Sequence, residues 1–138
     1  MFVRYVEAKT QVQHAWKPTG ADIQIDSSNK SSLHVRTRKL LQRMFPTVST
    51  LEEVSFSPVQ FKTLYLDFYI PVLHCAVEVH GEQHYKFVPH YHGTMLKFMQ
   101  ARKNDNMKKD WCILNNIIFI ELPFNETDKE WERRINGQ

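Results

Sequence analysis

The stretch Leu66–Tyr85, LDFYIPVLHCAVEVHGEQHY, decides how this chain is read. Two runs rich in β-branched and aromatic residues flank Pro71, and the second ends at Gly81, the pattern of a β-hairpin. Yet the runs carry Asp67, Glu78 and His80, and His84 follows just beyond them. Burying an unpaired carboxylate is costly unless a counter-charge or a metal compensates it. Strand side chains alternate, so Leu64, Leu66, Phe68 and Ile70 are expected on one face, with Tyr65, Asp67 and Tyr69 on the other. In the second strand Ala76, Glu78 and His80 share a face. A tight turn centred between Val72 and Leu73 sets Asp67 directly opposite Glu78, with Cβ atoms ~5 Å apart. Like charges so placed destabilise a hairpin. A shared divalent cation reverses that sign, and hard oxygen ligands suit Mg²⁺, with Mn²⁺ as the alternative.

Outward from the hairpin, the chain alternates helical and strand patterns. Upstream, Ser31 or Ser32 can cap a helix whose apolar positions are Leu33, Thr37, Leu40, Leu41 and Met44, and Pro46 stops it. EEVSFS and FKTLYLDFYI then read as strands. Downstream, a polar loop (KFVPHYHGT) leads into a helix from about Met95 to Asn115, ended where Asn115-Asn116 can adopt a left-handed cap. IIFIEL is a continuous apolar strand of the kind buried on both faces. NETDKEWERRI reads as a terminal helix capped by Asn125 or Thr127. In residues 1–30 FVRYVE alternates like a short strand, AWKPTGADIQIDSSNKSS is turn-rich around Pro18 and Gly20, and the whole reads as an extended arm leading to the first helix. The expectation is one domain over 1–138: an arm (1–30), a core (31–122) and a C-terminal helix (123–138). The fold class is α/β, with a mixed central sheet flanked by helices.

The chain has 138 residues, enough for one core without staples. No apolar run approaches the ~20 residues of a membrane span, and MFVRYVEAKTQ has no apolar leader region. Cys75 and Cys112 sit in separate apolar runs, which suits reduced, buried thiols and an intracellular, cytoplasmic or nucleoid-associated protein. The net charge of +3 is unevenly spread. Residues 1–50 hold eight Lys/Arg against three acids, 91–110 five against two, and 51–90 only two against five. Basic flanks around an acidic centre suit an anionic polymer held over a cation site.

TLYLDFYIP followed by VEVHGEQHY resembles the core of the PD-(D/E)XK nuclease superfamily. The likeness is to the branch around the very-short-patch-repair endonuclease and the EDxHD homing endonucleases, and it covers roughly Ser32 to Leu122. It implies a restriction-endonuclease-like αβββαβ core and a Mg²⁺-dependent endodeoxyribonuclease. By this resemblance Asp67 and Glu78 are the metal-binding acids, and His84 matches the last residue of the G-x-x-H element. His80 stands where the superfamily usually has Lys, and a neutral histidine is not a fixed charge. The branch often has a Glu in the first turn of its first helix. His34 stands there instead, so either that role is lost or His34 acts as base or supports a ligand.

Asp105 and Lys108 fall on one helical face with Phe98, Ala101 and Cys112, interrupting an apolar stripe. A competing stripe of Leu96, Met107, Trp111 and Leu114 would leave both exposed. The branch often carries an Asp on this helix, and orienting His84 or His80 would be its task. Phosphate contacts are expected from Arg36, Lys39, Lys103 and Lys109.

The leading expectation is a metal-dependent DNA endonuclease, working as a homodimer or with a separate targeting partner and without a membrane. The alternative is a non-catalytic nucleic-acid-binding module on the same fold, as in the RAP-type domains of organellar RNA-binding proteins. The opposed Asp67 and Glu78 argue against it. A zinc site drawn from His80, His84, His90, His92 and a cysteine lacks the usual ligand spacings.

Overall fold

A computed structural model describes residues 3–6, 13–22 and 31–137. Its elements are β1 (Val3–Val6), β2 (Gln13–Trp16), β3 (Ala21–Asp22), α1 (Ser32–Met44), β4 (Leu51–Val59), β5 (Lys62–Ile70), β6 (Cys75–His80), α2 (Pro89–His92), α3 (Met95–Leu114), β7 (Ile118–Pro123) and α4 (Asp128–Asn136). β1 and β2 form a separate antiparallel pair, and the other five strands make one sheet in the order β3-β4-β5-β6-β7. Among the described residues only the β6–β7 pairing is parallel, with α3 lying between the two strands in the chain. The architecture is α/β with a mixed sheet flanked by helices.

Local chemistry sets the helix limits. The Ser31 hydroxyl accepts from the His34 amide (3.1 Å), Thr94 from Lys97 (3.2 Å) and Thr127 from Glu130 (3.2 Å), so each longer helix begins at a side-chain cap. Asn116, just beyond α3, has φ 58°, the left-handed turn-out that Asn tolerates. The hairpin turn is a single 3-10 turn over Pro71–Leu73, closed by His74 at φ 51°. Its ladder pairs Phe68 with Val77, Tyr69 with Ala76 and Ile70 with Cys75, the expected register.

Two apolar layers cover the sheet. On one side Leu40 and Leu41 of α1, with Trp131 and Ile135 of α4, pack on Phe68, Ile70, Cys75, Val77, Val79, Ile120 and Leu122. On the other, Trp111 and Cys112 of α3 join Trp16, Val54, Phe56, Leu66, Tyr69 and Ala76. The two cysteines therefore lie in different layers, both buried and free.

Two expectations change here. Leu64 and Leu66 pack on the α3 side, whereas Phe68 and Ile70 pack on the α1/α4 side, so strict alternation does not run through β5. The neighbouring strand shows why. Glu53, between the paired positions Glu52↔Phe68 and Val54↔Leu66, has φ 51°. A residue in that region turns the strand and resets which face its successors meet. The second change is in the expected arm, whose residues 1–2, 7–12 and 23–30 lie outside the described residues. Val3–Val6 is a strand, as the alternation of FVRYVE leads one to expect, but it pairs with Gln13–Trp16, and Trp16 is core: its ring meets Tyr69 and Trp111 edge-on at 5.1 and 5.0 Å, and its Nε1 donates to the Ser55 carbonyl (3.0 Å).

Candidate active site

Beyond Phe68 and Val77 the β5–β6 ladder gives way to side chains. The Asp67 amide donates to Glu78 Oε2 (2.5 Å), and the Val79 amide donates to Asp67 Oδ2 (3.0 Å). Each carboxylate thus bonds the backbone of the opposite strand, and the strands part around them. Both acids border a cavity of about 430 Å³ whose walls include Ser31, His34, Glu53, His84, Tyr91 and Lys108. The cavity lies where the start of α1 and the middle of α3 meet the split in the sheet.

Glu78, with a side chain 1% exposed, is paired with the Lys108 ammonium (2.8 Å). Burial alone would lower the Lys108 pKa, but Glu78, joined by Asp67 and Asp105, outweighs it and holds the ammonium above its ordinary value. Burial, reinforced by the Glu78 charge and opposed by Lys108, pushes the Asp67 carboxyl well above the usual carboxylate range. A carboxyl raised in this way is a place where a cation is stabilising.

Lys108 is the residue that sequence reasoning left without a role. It arrives from α3, thirty positions beyond Glu78, and supplies the fixed positive charge that His80 cannot. Its signal was its break in an apolar helical stripe. α3 turns Phe98, Cys112 and Trp111 into the core while Leu96 stays exposed, so the face carrying Asp105 and Lys108 is the inward one.

The histidines separate. His84 Nδ1 is 2.8 Å from Asp105 Oδ2, on the cavity wall. His80 is buried with Nδ1 3.4 Å from Glu121 Oε1, and its ring stacks on that of His84. With His80 and the Tyr85 hydroxyl as hydrogen-bond partners, the Glu121 pKa falls to about 2. His34 stacks on Phe68 and sets Nε2 against Glu52 Oε1 (2.6 Å), which also accepts from Arg38 (2.7 Å). With Nε2 so committed, Nδ1 is the nitrogen left for a ligand. One donor atom each from His34, Glu53 and Asp67 lie within 4.8 Å of one another. Glu53 was missed, because only the left-handed turn at that residue brings it to the cavity.

Of the four cations expected to grip phosphate, Lys39, Lys103 and Lys109 are exposed. Arg36 differs. Its Nε donates to Asp128 (2.7 Å), its Nη2 to the Glu126 carbonyl (2.7 Å), and its guanidinium lies 3.7 Å over the Trp131 ring. It ties α1 to α4, since a guanidinium satisfied in plane and stacked on an indole has little left for a ligand. His90 is exposed, and His92 Nδ1 turns to the Val88 backbone of its own turn.

No protein-family model and no solved structure matches the chain. It is similar to the uncharacterized protein 307L of Invertebrate iridescent virus 6, 40% identical over 65 residues, which are 47% of this chain and 33% of that protein. It is also similar to the uncharacterized protein 033L of Invertebrate iridescent virus 3, 27% identical over 92 residues, 65% of this chain and 47% of that protein. The chain thus spans less than half the length of these two curated relatives.

Proposed function

We propose that the chain is a divalent-cation-dependent DNA endonuclease that hydrolyses phosphodiester bonds on a restriction-endonuclease-like core. The observation that carries this reading is the meeting of Asp67, Glu78 and Lys108 where β5 and β6 part. Among the described residues no helix is long and apolar enough to cross a membrane.

The donor set fits a small divalent ion. Asp67 has a raised pKa beside Glu78, so an ion there relieves repulsion and takes the place of a proton. Glu78 has Oε1 on Lys108 and Oε2 on the Asp67 amide, which leaves Asp67, with Glu53 and His34, as the nearer ligands. The mixed nitrogen and oxygen donors favour Mn²⁺ as well as Mg²⁺. Such an ion, when bound, supplies Lewis-acid polarisation of a phosphoryl oxygen.

The chain's own residues would do the rest. Glu78 holds Lys108 in place, and the ammonium sits where it can neutralise charge building on the phosphate oxygens. His84, oriented through Nδ1 by Asp105, offers Nε2 to take a proton from the attacking water. The water oxygen bonds to phosphorus, the opposite P–O bond breaks, and the departing alkoxide takes up a proton. Lys103 and Lys109 lie on the same helix as Lys108 and suit contacts to flanking phosphates.

The test is nicking of supercoiled plasmid, followed by a panel of duplex, mismatched, branched and single-stranded DNAs with Mg²⁺, Mn²⁺ or EDTA. Cleavage that needs the ion and disappears in Asp67→Asn and Lys108→Met is the expected result. No cleavage of any substrate with either ion, with DNA binding intact, would make the chain a binding module instead.

A further inference from the structure

We propose that His80, His84 and Asp105 form a second cation site, separate from Asp67, that takes a borderline transition ion of the Zn²⁺ class rather than Mg²⁺. One ligand atom from each of the three lies within 4.8 Å of the others.

The independent observation is at His80. Its side chain is 6% exposed, and its Nε2 is buried without a hydrogen-bond partner among the described residues. A buried ring nitrogen left this way loses its hydration with nothing in return. Its other nitrogen faces the Glu121 carboxylate. Nε2 is therefore the His80 atom left for a ligand, and an imidazole nitrogen is the commonest side-chain donor to metal ions. The ring of His84 is stacked on that of His80 at 4.2 Å with planes 1° apart, so the second imidazole donor lies directly beside the first.

Two imidazole nitrogens and one carboxylate oxygen form a three-ligand set that leaves a fourth position open. Imidazole donors select Zn²⁺, Co²⁺ or Ni²⁺ over Mg²⁺, which prefers oxygen and dehydrates reluctantly. With the ring planes parallel one ion cannot lie in both, so binding requires His84, the more exposed ring, to leave the stack and exchange its Asp105 hydrogen bond for the ion. The site goes beyond the nuclease reading, and an ion there would occupy the histidine assigned to proton transfer. Zn²⁺ would then act as an inhibitor of the Mg²⁺-supported reaction.

The experiment titrates the metal-free chain with Co²⁺, read by visible absorption, and with Zn²⁺, read by calorimetry, each with Mg²⁺ in excess. One equivalent should bind, with the absorption of a low-coordinate nitrogen–oxygen complex, and it should persist in Asp67→Asn. His80→Gln and His84→Gln should each weaken Zn²⁺ at least tenfold. Circular dichroism checks the fold of the buried variant, and the more exposed His84 keeps the test decisive if His80→Gln unfolds. No binding in Mg²⁺, binding unchanged in His84→Gln, or binding lost in Asp67→Asn would each overturn the site. None of these readouts depends on cleavage, so failure of the nuclease reading leaves the result interpretable.

Discussion

The Lys108 ammonium lies 2.8 Å from Glu78 Oε1 across the interface of α3 and β6, and both side chains are largely withdrawn from water. Removing the lysine alone strands a buried charge. Lys108→Met should therefore destabilise the chain by about 3 kcal/mol, whereas Lys108→Arg keeps the charge and most of the stability. The double variant Glu78→Gln/Lys108→Met should recover most of the loss and still not cleave DNA. Urea unfolding of the four proteins measures this, and a Lys108→Met loss below about 1 kcal/mol, the range of exposed ion pairs, would show the pair to be solvated in solution.

Asp67 contributes to the pH dependence of the metal-free protein with a sign opposite to that of Glu121, whose lowered pKa favours the folded state as the pH rises. The folded pKa of Asp67 lies above the unfolded value of ~3.9, so the folded state binds the extra proton. The stability it contributes is full below that unfolded value and is lost as pH rises through the folded one. Asp67→Asn should flatten that decline and melt higher than wild type at neutral pH. Mg²⁺ or Mn²⁺ should raise the wild-type melting temperature at neutral pH more than in acid, and EDTA should reverse the gain. A wild-type protein indifferent to these ions at every pH would remove the cation from this carboxylate.

Glu53 separates strain from ligation. Its φ of 51° is one that glycine adopts without a Cβ penalty, which for other residues is roughly 1–2 kcal/mol. Glu53→Gly should hold or raise thermal stability while weakening Mn²⁺, and Glu53→Gln should weaken Mn²⁺ without the stability gain. Calorimetry against melting curves distinguishes the two effects, and undiminished Mn²⁺ affinity in both variants would take Glu53 out of the site.

The basic residues should divide by location. Lys103→Gln with Lys109→Gln should flatten the salt dependence of duplex binding by about 0.9 log units of slope for each phosphate no longer neutralised. Arg36→Gln should leave that slope alone and cost about 1 kcal/mol of stability, because the arginine serves the α1–α4 packing. A slope that falls with Arg36→Gln would restore it as a phosphate ligand.

Much of this protein was written in local pattern. Turn residues and caps determine the hairpin and its register, the starts of α1, α3 and α4, and the left-handed exit at Asn116, because each depends on neighbours within a turn or a strand pair. That Asp67 and Glu78 lie near each other belongs to the same class, since one tight turn brings both strands together, but the ladder ends before them and each bonds the opposite backbone instead of pairing directly. The contacts that tertiary packing alone supplies join partners far apart in the chain. Lys108 meets Glu78 because helix packing chose the inward face of α3, a choice that the two competing apolar stripes left open. Arg36 became an internal tie because α4 brings Asp128 and Trp131 to it. Glu53 reached the cavity through a backbone turn that composition does not announce. In each case a long-range interaction carries the deciding energy, and no window of local sequence contains both of its partners.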